Sequence, residues 1–139
     1  AMKYASLPQG ICPLGWHVAT DEDFINLEGS LDTQYDTLAS IWDSTGFRGL
    51  DAGLRLRSAT GWLSGGNGTD VAGFSAEPGG GAFGSTASFN SLGTAAMFWT
   101  STTESTGASY GRYLEATSDQ VYRGGFQRVN AFSVRCVKD

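Results

Sequence analysis

Residues 97–137 read MFWTSTTESTGASYGRYLEATSDQVYRGGFQRVNAFSVRCV. Four runs in this stretch are rich in aromatic and β-branched residues: 97–102, 110–114, 120–123 and 131–137. Clusters of Gly, Ser, Thr, Asp and Asn separate them at 105–109, 115–119 and 124–130. Short β-prone runs divided by such clusters predict strands joined by turns, here an antiparallel meander. In the last run a period of two places Phe132, Val134 and Cys136 on one face, with Cys136 toward the core.

Upstream the chain changes character. After an extended lead-in at residues 1–10, Ile11-Cys12-Pro13-Leu14-Gly15-Trp16-His17-Val18 predicts a turn and a short strand. Thr20 precedes Asp21, Glu22 and Asp23, an N-cap followed by acids at the positive end of a helix dipole. Phe24, Leu27 and Leu31 recur at a spacing of three to four, predicting an amphipathic helix over 21–31. A second helix is expected over 34–44, with Leu38, Ile41 and Trp42 as its apolar face and Gly46 as its stop. Leu54-Arg55-Leu56-Arg57-Ser58 alternates and reads as a short strand. Ten of the twenty glycines fall within 61–93, punctuated by Trp62, Phe74, Phe83 and Phe89. Disordered linkers lack aromatics at such intervals. Long ordered loops pinned by rings are expected, with glycines supplying positive φ. The chain shows no internal repeat.

With 139 residues the chain suits one domain over 1–139, with a core of about 10–139. No apolar run reaches the ~18 residues of a membrane helix, so no membrane insertion is expected. Fourteen acids and nine bases give a net charge of −5. Residues 1–51 hold eight of those acids and two of the bases, whereas 101–139 hold four acids and five bases. An acidic chain of this kind is a poor match to nucleic acid. Cys12 and Cys136 are the two cysteines. They allow one bridge, closing a loop of about 125 residues, or two buried thiols. Small irregular domains need a staple, which favours the bridge and an oxidising, extracytoplasmic setting. No signal peptide is visible, and Ala1 before Met2 looks like a vector remnant from which a leader or neighbouring domains were trimmed.

The predicted order is strand, helix, helix, glycine-rich loops and a meander, with a cysteine near each end. This α+β order resembles the C-type lectin-like fold. Ile11-Cys12-Pro13, Gly15-Trp16-His17-Val18 and Thr20-Asp21 resemble the opening of the Fibrobacter succinogenes major paralogous domain, found in Bacteroidetes surface proteins. Thr60-Gly61-Trp62, Asn67-Gly68-Thr69-Asp70, Gly73-Phe74-Ser75-Ala76 and Pro78-Gly79-Gly80 continue the resemblance. Phe98-Trp99-Thr100-Ser101-Thr102, Arg112-Tyr113-Leu114 and Phe132-Ser133-Val134-Arg135-Cys136-Val137-Lys138-Asp139 complete it. Ala19 stands where a proline is usual. The resemblance implies a secreted or cell-surface protein, and this chain is expected to be part of a larger one. Related lectin-like domains are the variable proteins of diversity-generating retroelements, whose C-terminal side chains vary over a fixed framework. Residues 98–131 fit that layout.

His17 is the only histidine, and its place beside Trp16 predicts a structural role at a strand end. One histidine and two cysteines do not build a typical zinc site, and no Gly-x-Ser-x-Gly string marks a nucleophile. The related formylglycine-generating enzymes use C-terminal cysteines, of which only Cys136 is present. Asn67, Asp70 and Glu77 fall in the loops where C-type lectins hold calcium, but the sugar-binding Glu-Pro-Asn string is absent. Asn67 and Asp70 are read as turn caps, and no cofactor is expected. Asn67-Gly68-Thr69, formally a glycosylation sequon, reads as a turn, and Gly79-Gly80-Gly81 lacks the Lys-Ser/Thr of a phosphate loop.

The candidate ligand-binding residues are Thr103, Glu104, Ser105, Tyr110, Tyr122, Phe126, Gln127, Arg128, Val129 and Asn130. Rigid aromatic area amid adaptable small polar groups is the composition of a paratope. Tyr113 is expected to pack as a cross-strand pair. The expected function is a non-enzymatic module binding a protein or glycan outside the cell. The alternatives are a structural module of an adhesin or fimbrial tip, and a formylglycine-generating oxidase.

Overall fold

The computed structural model describes residues 10–84 and 88–139, so the lead-in predicted for 1–9 lies outside the described residues. Strand β1 (Trp16–Val18) feeds helix α1 (Asp21–Leu31) through the predicted cap. Thr20 Oγ1 accepts the Asp23 N–H at 3.0 Å, and Asp23 Oδ2 accepts the Thr20 N–H at 2.8 Å. This reciprocal box satisfies two amides that the helix itself cannot. The inner face of α1 buries Phe24, Ile25, Gly29 and two acids, Asp21 and Glu28.

The second helix predicted over 34–44 does not form. The segment is irregular apart from one 3-10 turn, Ser40–Asp43. Asp32 Oδ1 accepts the N–H groups of Gln34 and Tyr35, and Asp36 Oδ1 accepts that of Leu38. These side chains capture the amides a helix would have ordered. Of the expected apolar face, Trp42 is buried but Leu38 is 90% exposed. A strand unforeseen in the sequence, β2 (Gly46–Arg48), follows.

Residues 54–58 also depart from expectation. Residues 54–56 end a short helix, α2 (Ala52–Leu56), and Arg57 after it forms a parallel bridge with Ala76. The i,i+4 pair Asp51–Arg55 favours the helix, and a Cβ on Gly53 would lie 2.3 Å from the Gln120 carbonyl. Docking against that turn therefore selects helix over the ambiguous alternation.

The described residues of the loops between α2 and the meander are ordered, as predicted. Trp62 is buried, and its indole N–H donates to the Ala76 carbonyl at 3.0 Å. Phe89 pins nothing, being 77% exposed on β4 (Ser88–Asn90), which pairs with β3 (Gly81–Phe83).

Strands β5 (Ala95–Ser105), β6 (Ala108–Glu115) and β7 (Val121–Gln127) form the antiparallel meander. The turn predicted over 124–130 is corrected: β7 runs on to Gln127. The final run is two strands, not one. β8 (Ser133–Val134) pairs parallel with β5, completing a sheet of order β2-β7-β6-β5-β8. After Arg135 the chain enters β9 (Cys136–Lys138), which pairs antiparallel with β1. Cys12 and Cys136 are bridged, with Cα atoms 5.8 Å apart, and no free cysteine remains.

Two apolar clusters flank the five-stranded sheet. The first joins Phe24, Trp42, Leu56, Trp62, Phe98 and Leu114 on the helical side. The second joins Val18, Met97, Trp99 and Phe132. On the helical side a charged network ties α1 to the sheet. Glu28 bonds Arg48 and Arg112 at 2.6 Å each, and Asp21 bonds Arg112 at 2.7 Å and Arg123 at 2.6 Å. Burial pushes the Arg48 guanidinium down to about 10. Burial also opposes ionisation of Asp21, yet the bonds from Arg123 and the charge of Arg112 hold its carboxyl below the usual range.

Candidate ligand-binding site

The meander register sorts its side chains into two faces. Phe47 on β2 stands opposite Tyr122, Tyr122 opposite Tyr113, and Tyr113 opposite Met97. Four strands thus place an unbroken apolar row on the side away from α1. The next row is Gly124, Gly111 and Trp99. The two glycines leave room for rings from neighbouring rows. A Cβ on Gly124 would lie 2.8 Å from Tyr122 Cε1, and one on Gly111 would lie 2.9 Å from Phe126 Cδ2.

The rings meet edge to face. Phe47 and Tyr122 have centroids 5.3 Å apart, and Tyr113 and Tyr122 6.4 Å, the cross-strand pairing expected of Tyr113. Phe126 packs on Phe132 at 5.2 Å and on buried Trp99 at 6.3 Å. Together with Phe83 and Met97 the rings line a trough of about 320 Å³. Phe47 is 40% exposed and Tyr113, Tyr122 and Phe126 are half-buried. The Tyr113 hydroxyl donates to Glu115 Oε2 at 3.1 Å, and burial with this neighbouring carboxylate raises its pKa.

The sequence carries the model of the Fibrobacter succinogenes major domain over residues 2–138. This chain belongs to that family. Comparison with curated proteins finds no match, and neither does comparison with solved structures.

In this Fibrobacter succinogenes major domain the ten candidate residues divide between the two faces. Tyr122 and Phe126 stand on the trough, and Thr103, opposite Ser109, shares their side at its end. Arg128 holds that end together, donating to Ser109 Oγ at 3.0 Å and Thr103 Oγ1 at 2.8 Å. Asn130 Oδ1 accepts the Gly84 N–H, and Val129 projects from the turn, 65% exposed. Tyr110, Glu104 and Gln127 lie on the other face. Arg123 stacks over the Tyr110 ring at 4.0 Å, and Glu104 covers Gly125. The Ser105 hydroxyl donates to Glu104 at the exposed hairpin tip.

Phe47, Phe83 and Met97 were not foreseen as part of the site. Phe47 and Phe83 sit on three-residue strands, too short to show a period. Met97 lies in a predicted strand, and only the register shows its place in the row.

The remaining chemical candidates are accounted for locally. His17 Nδ1 lies 2.7 Å from Asp139 Oδ1 and Nε2 lies 3.0 Å from Asp23 Oδ2, and these bonds raise its pKa. Asn67 Oδ1 accepts the Trp62 N–H, while Asp70 accepts the N–H and hydroxyl of Ser75. Both act as turn caps. Among the described residues no group of three or more His, Cys, Asp or Glu side chains is placed to hold a metal ion.

Proposed function

We propose that this domain is a non-enzymatic binding module with a C-type lectin-like fold, presenting the aromatic trough to a protein or glycan outside the cell. The observation that carries this reading is the row Phe47, Tyr122, Tyr113 and Met97 beside the paired glycines 111 and 124. Rings locked edge to face lose little entropy on binding, and a half-buried trough supplies desolvated anchor positions. Arg128, Thr103 and Asn130 form a polar rim suited to specificity. The lectin-like fold is supported by paired terminal strands, two helices and long ordered loops. The Cys12–Cys136 bridge is compatible with an extracellular location.

The same architecture fits a surface whose side chains vary over a fixed frame. In β6 and β7 the residues Arg112 and Arg123 turn inward to Asp21, while Tyr113 and Tyr122 turn outward. Outward positions are therefore exchangeable without touching the charged network.

The test is a screen of the intact domain against a glycan array and a panel of secreted proteins, repeated with Tyr122→Ala and Phe47→Ala. Loss of the selected partner by tenfold or more in both variants supports the trough. Unchanged affinity in folded variants assigns the binding elsewhere.

A further inference from the structure

A second cleft lies between α1 and β9, lined by the first apolar cluster, whereas the trough adjoins the second. It has a volume of about 450 Å³, within the usual range of ligand sites. Phe24 and Leu27 of α1 form one wall, Phe74 another, and residues 135–138 border it.

Two of the seven arginines, Arg128 and Arg135, lack a carboxylate partner among the described residues, and Arg128 is held by the hydroxyls of Ser109 and Thr103 instead. Arg48, Arg55, Arg57, Arg112 and Arg123 each have a carboxylate partner. The Arg135 guanidinium stands over Phe74 at 4.7 Å and Phe98 at 5.6 Å, and Nη2 donates to the Ser75 carbonyl at 3.1 Å. Among the described residues no acceptor bonds its Nε or Nη1. Of the acids nearby, Asp70 is bonded by Ser75 and also feels the Arg135 charge, Asp23 is bonded by Thr20 and His17, and Glu77 lies with Arg135 along a neighbouring cleft without bonding it. Lys138 adds a second positive charge along the border. A half-buried, ring-stacked guanidinium with spare donors suits a carboxylate.

The outer backbone edge beside it is also open among the described residues. Among the described residues β9 has β1 as its one strand neighbour. The bonds Ala19 N–H to Arg135 carbonyl and Asp139 N–H to Gly15 carbonyl fix the alternation. Residues 135, 137 and 139 turn their backbone groups to β1, so Cys136 and Lys138 turn theirs to the outer edge. Their side chains point to the opposite face from Val137, so they meet the cleft with their main chain. A strand added antiparallel to β9 would bring its C-terminal end to Arg135.

We propose that this cleft captures the free C-terminus of an extended peptide. The peptide adds to the outer edge of β9, gives its α-carboxylate to Arg135, and seats an apolar last side chain against Phe24, Leu27 and Phe74. This site is separate from the trough.

The test uses the intact domain and a randomised hexapeptide library with free carboxyl ends, alongside its amidated twin. Selected free-acid peptides should end in an apolar residue and bind at least about tenfold more tightly than their amides. Arg135→Gln and Arg135→Lys should erase most of that difference, the lysine variant retaining charge without the fork. Amide exchange should slow at Cys136 and Lys138 on binding. Equal binding of acid and amide, no enrichment at all, or enrichment with unchanged exchange at both amides would overturn the proposal. Tyr122→Ala should leave this binding intact, which separates its failure from that of the trough.

Discussion

The ring of Phe126 occupies the space that a side chain on Gly111 would need, with Cδ2 2.9 Å from where the Cβ would stand. The Phe98 carbonyl closes the same space from the backbone side at 3.1 Å. Gly111→Ala should therefore displace Phe126 and cost roughly 1–2 kcal/mol, overpacking being partly offset by alanine's lower chain entropy. Urea denaturation measures the cost. Trough binding should weaken in parallel, and a variant as stable as the parent would show that Phe126 yields freely.

Glu28 is fully buried between two guanidiniums. Glu28→Gln leaves a hydrogen-bond acceptor but removes the charge, leaving Arg48 with no carboxylate and Arg112 with Asp21 alone. The expected loss is about 3–5 kcal/mol by chemical denaturation, against under about 0.5 kcal/mol for Glu22→Gln on the exposed side of α1.

His17 makes stability depend on pH. Its folded pKa lies above the usual 6.5, so protonation favours the folded state. That contribution is complete below pH 6.5 and fades as pH rises through the folded value. Burial opposes ionisation of Asp23, but bonds from Thr20 and His17 hold its pKa below 3.8, so its contribution is present above 3.8 and lost on further acidification. The melting temperature of the parent minus that of His17→Asn should be larger at pH 5.5 than at pH 8. An NMR titration of the ring should place its midpoint above 6.5. A pH-independent difference would remove the histidine from the account.

Cys12→Ser with Cys136→Ser should lower stability by roughly 2–5 kcal/mol, because the bridge closes nearly the whole chain. Thermal melts of the parent with and without reductant should reproduce the difference.

Features with local causes were legible in the sequence. Thr20 and its three following acids mark α1, and aromatic and β-branched runs mark β5, β6 and the first half of β7, whose second half Gly124 and Gly125 disguise as a turn. Non-local causes were not legible. Asp32 ends α1 while its Oδ2 accepts the distant amides of Leu50, Asp51 and Ala52, which holds its Oδ1 in place to capture those of Gln34 and Tyr35. Arg135 divides the last run because β5 and β1 claim its two halves. For the site, Tyr122 was readable as an aromatic in a predicted strand and Phe126 as one in the glycine-opened segment after it. That Tyr110 stands opposite Gly125 and turns toward Arg123 depends on register, which a single strand does not reveal.

The bridge between Cys12 and Cys136 also sets how the domain carries mechanical load. Tension applied beyond these two residues on either side passes from one sulfur to the other. The 123 residues between them form a covalently bypassed loop, whose ends are 124 positions apart in sequence yet joined by one bond. While the bond is intact, force applied outside the two cysteines cannot unravel the five-stranded sheet, and the trough keeps its shape under that pull.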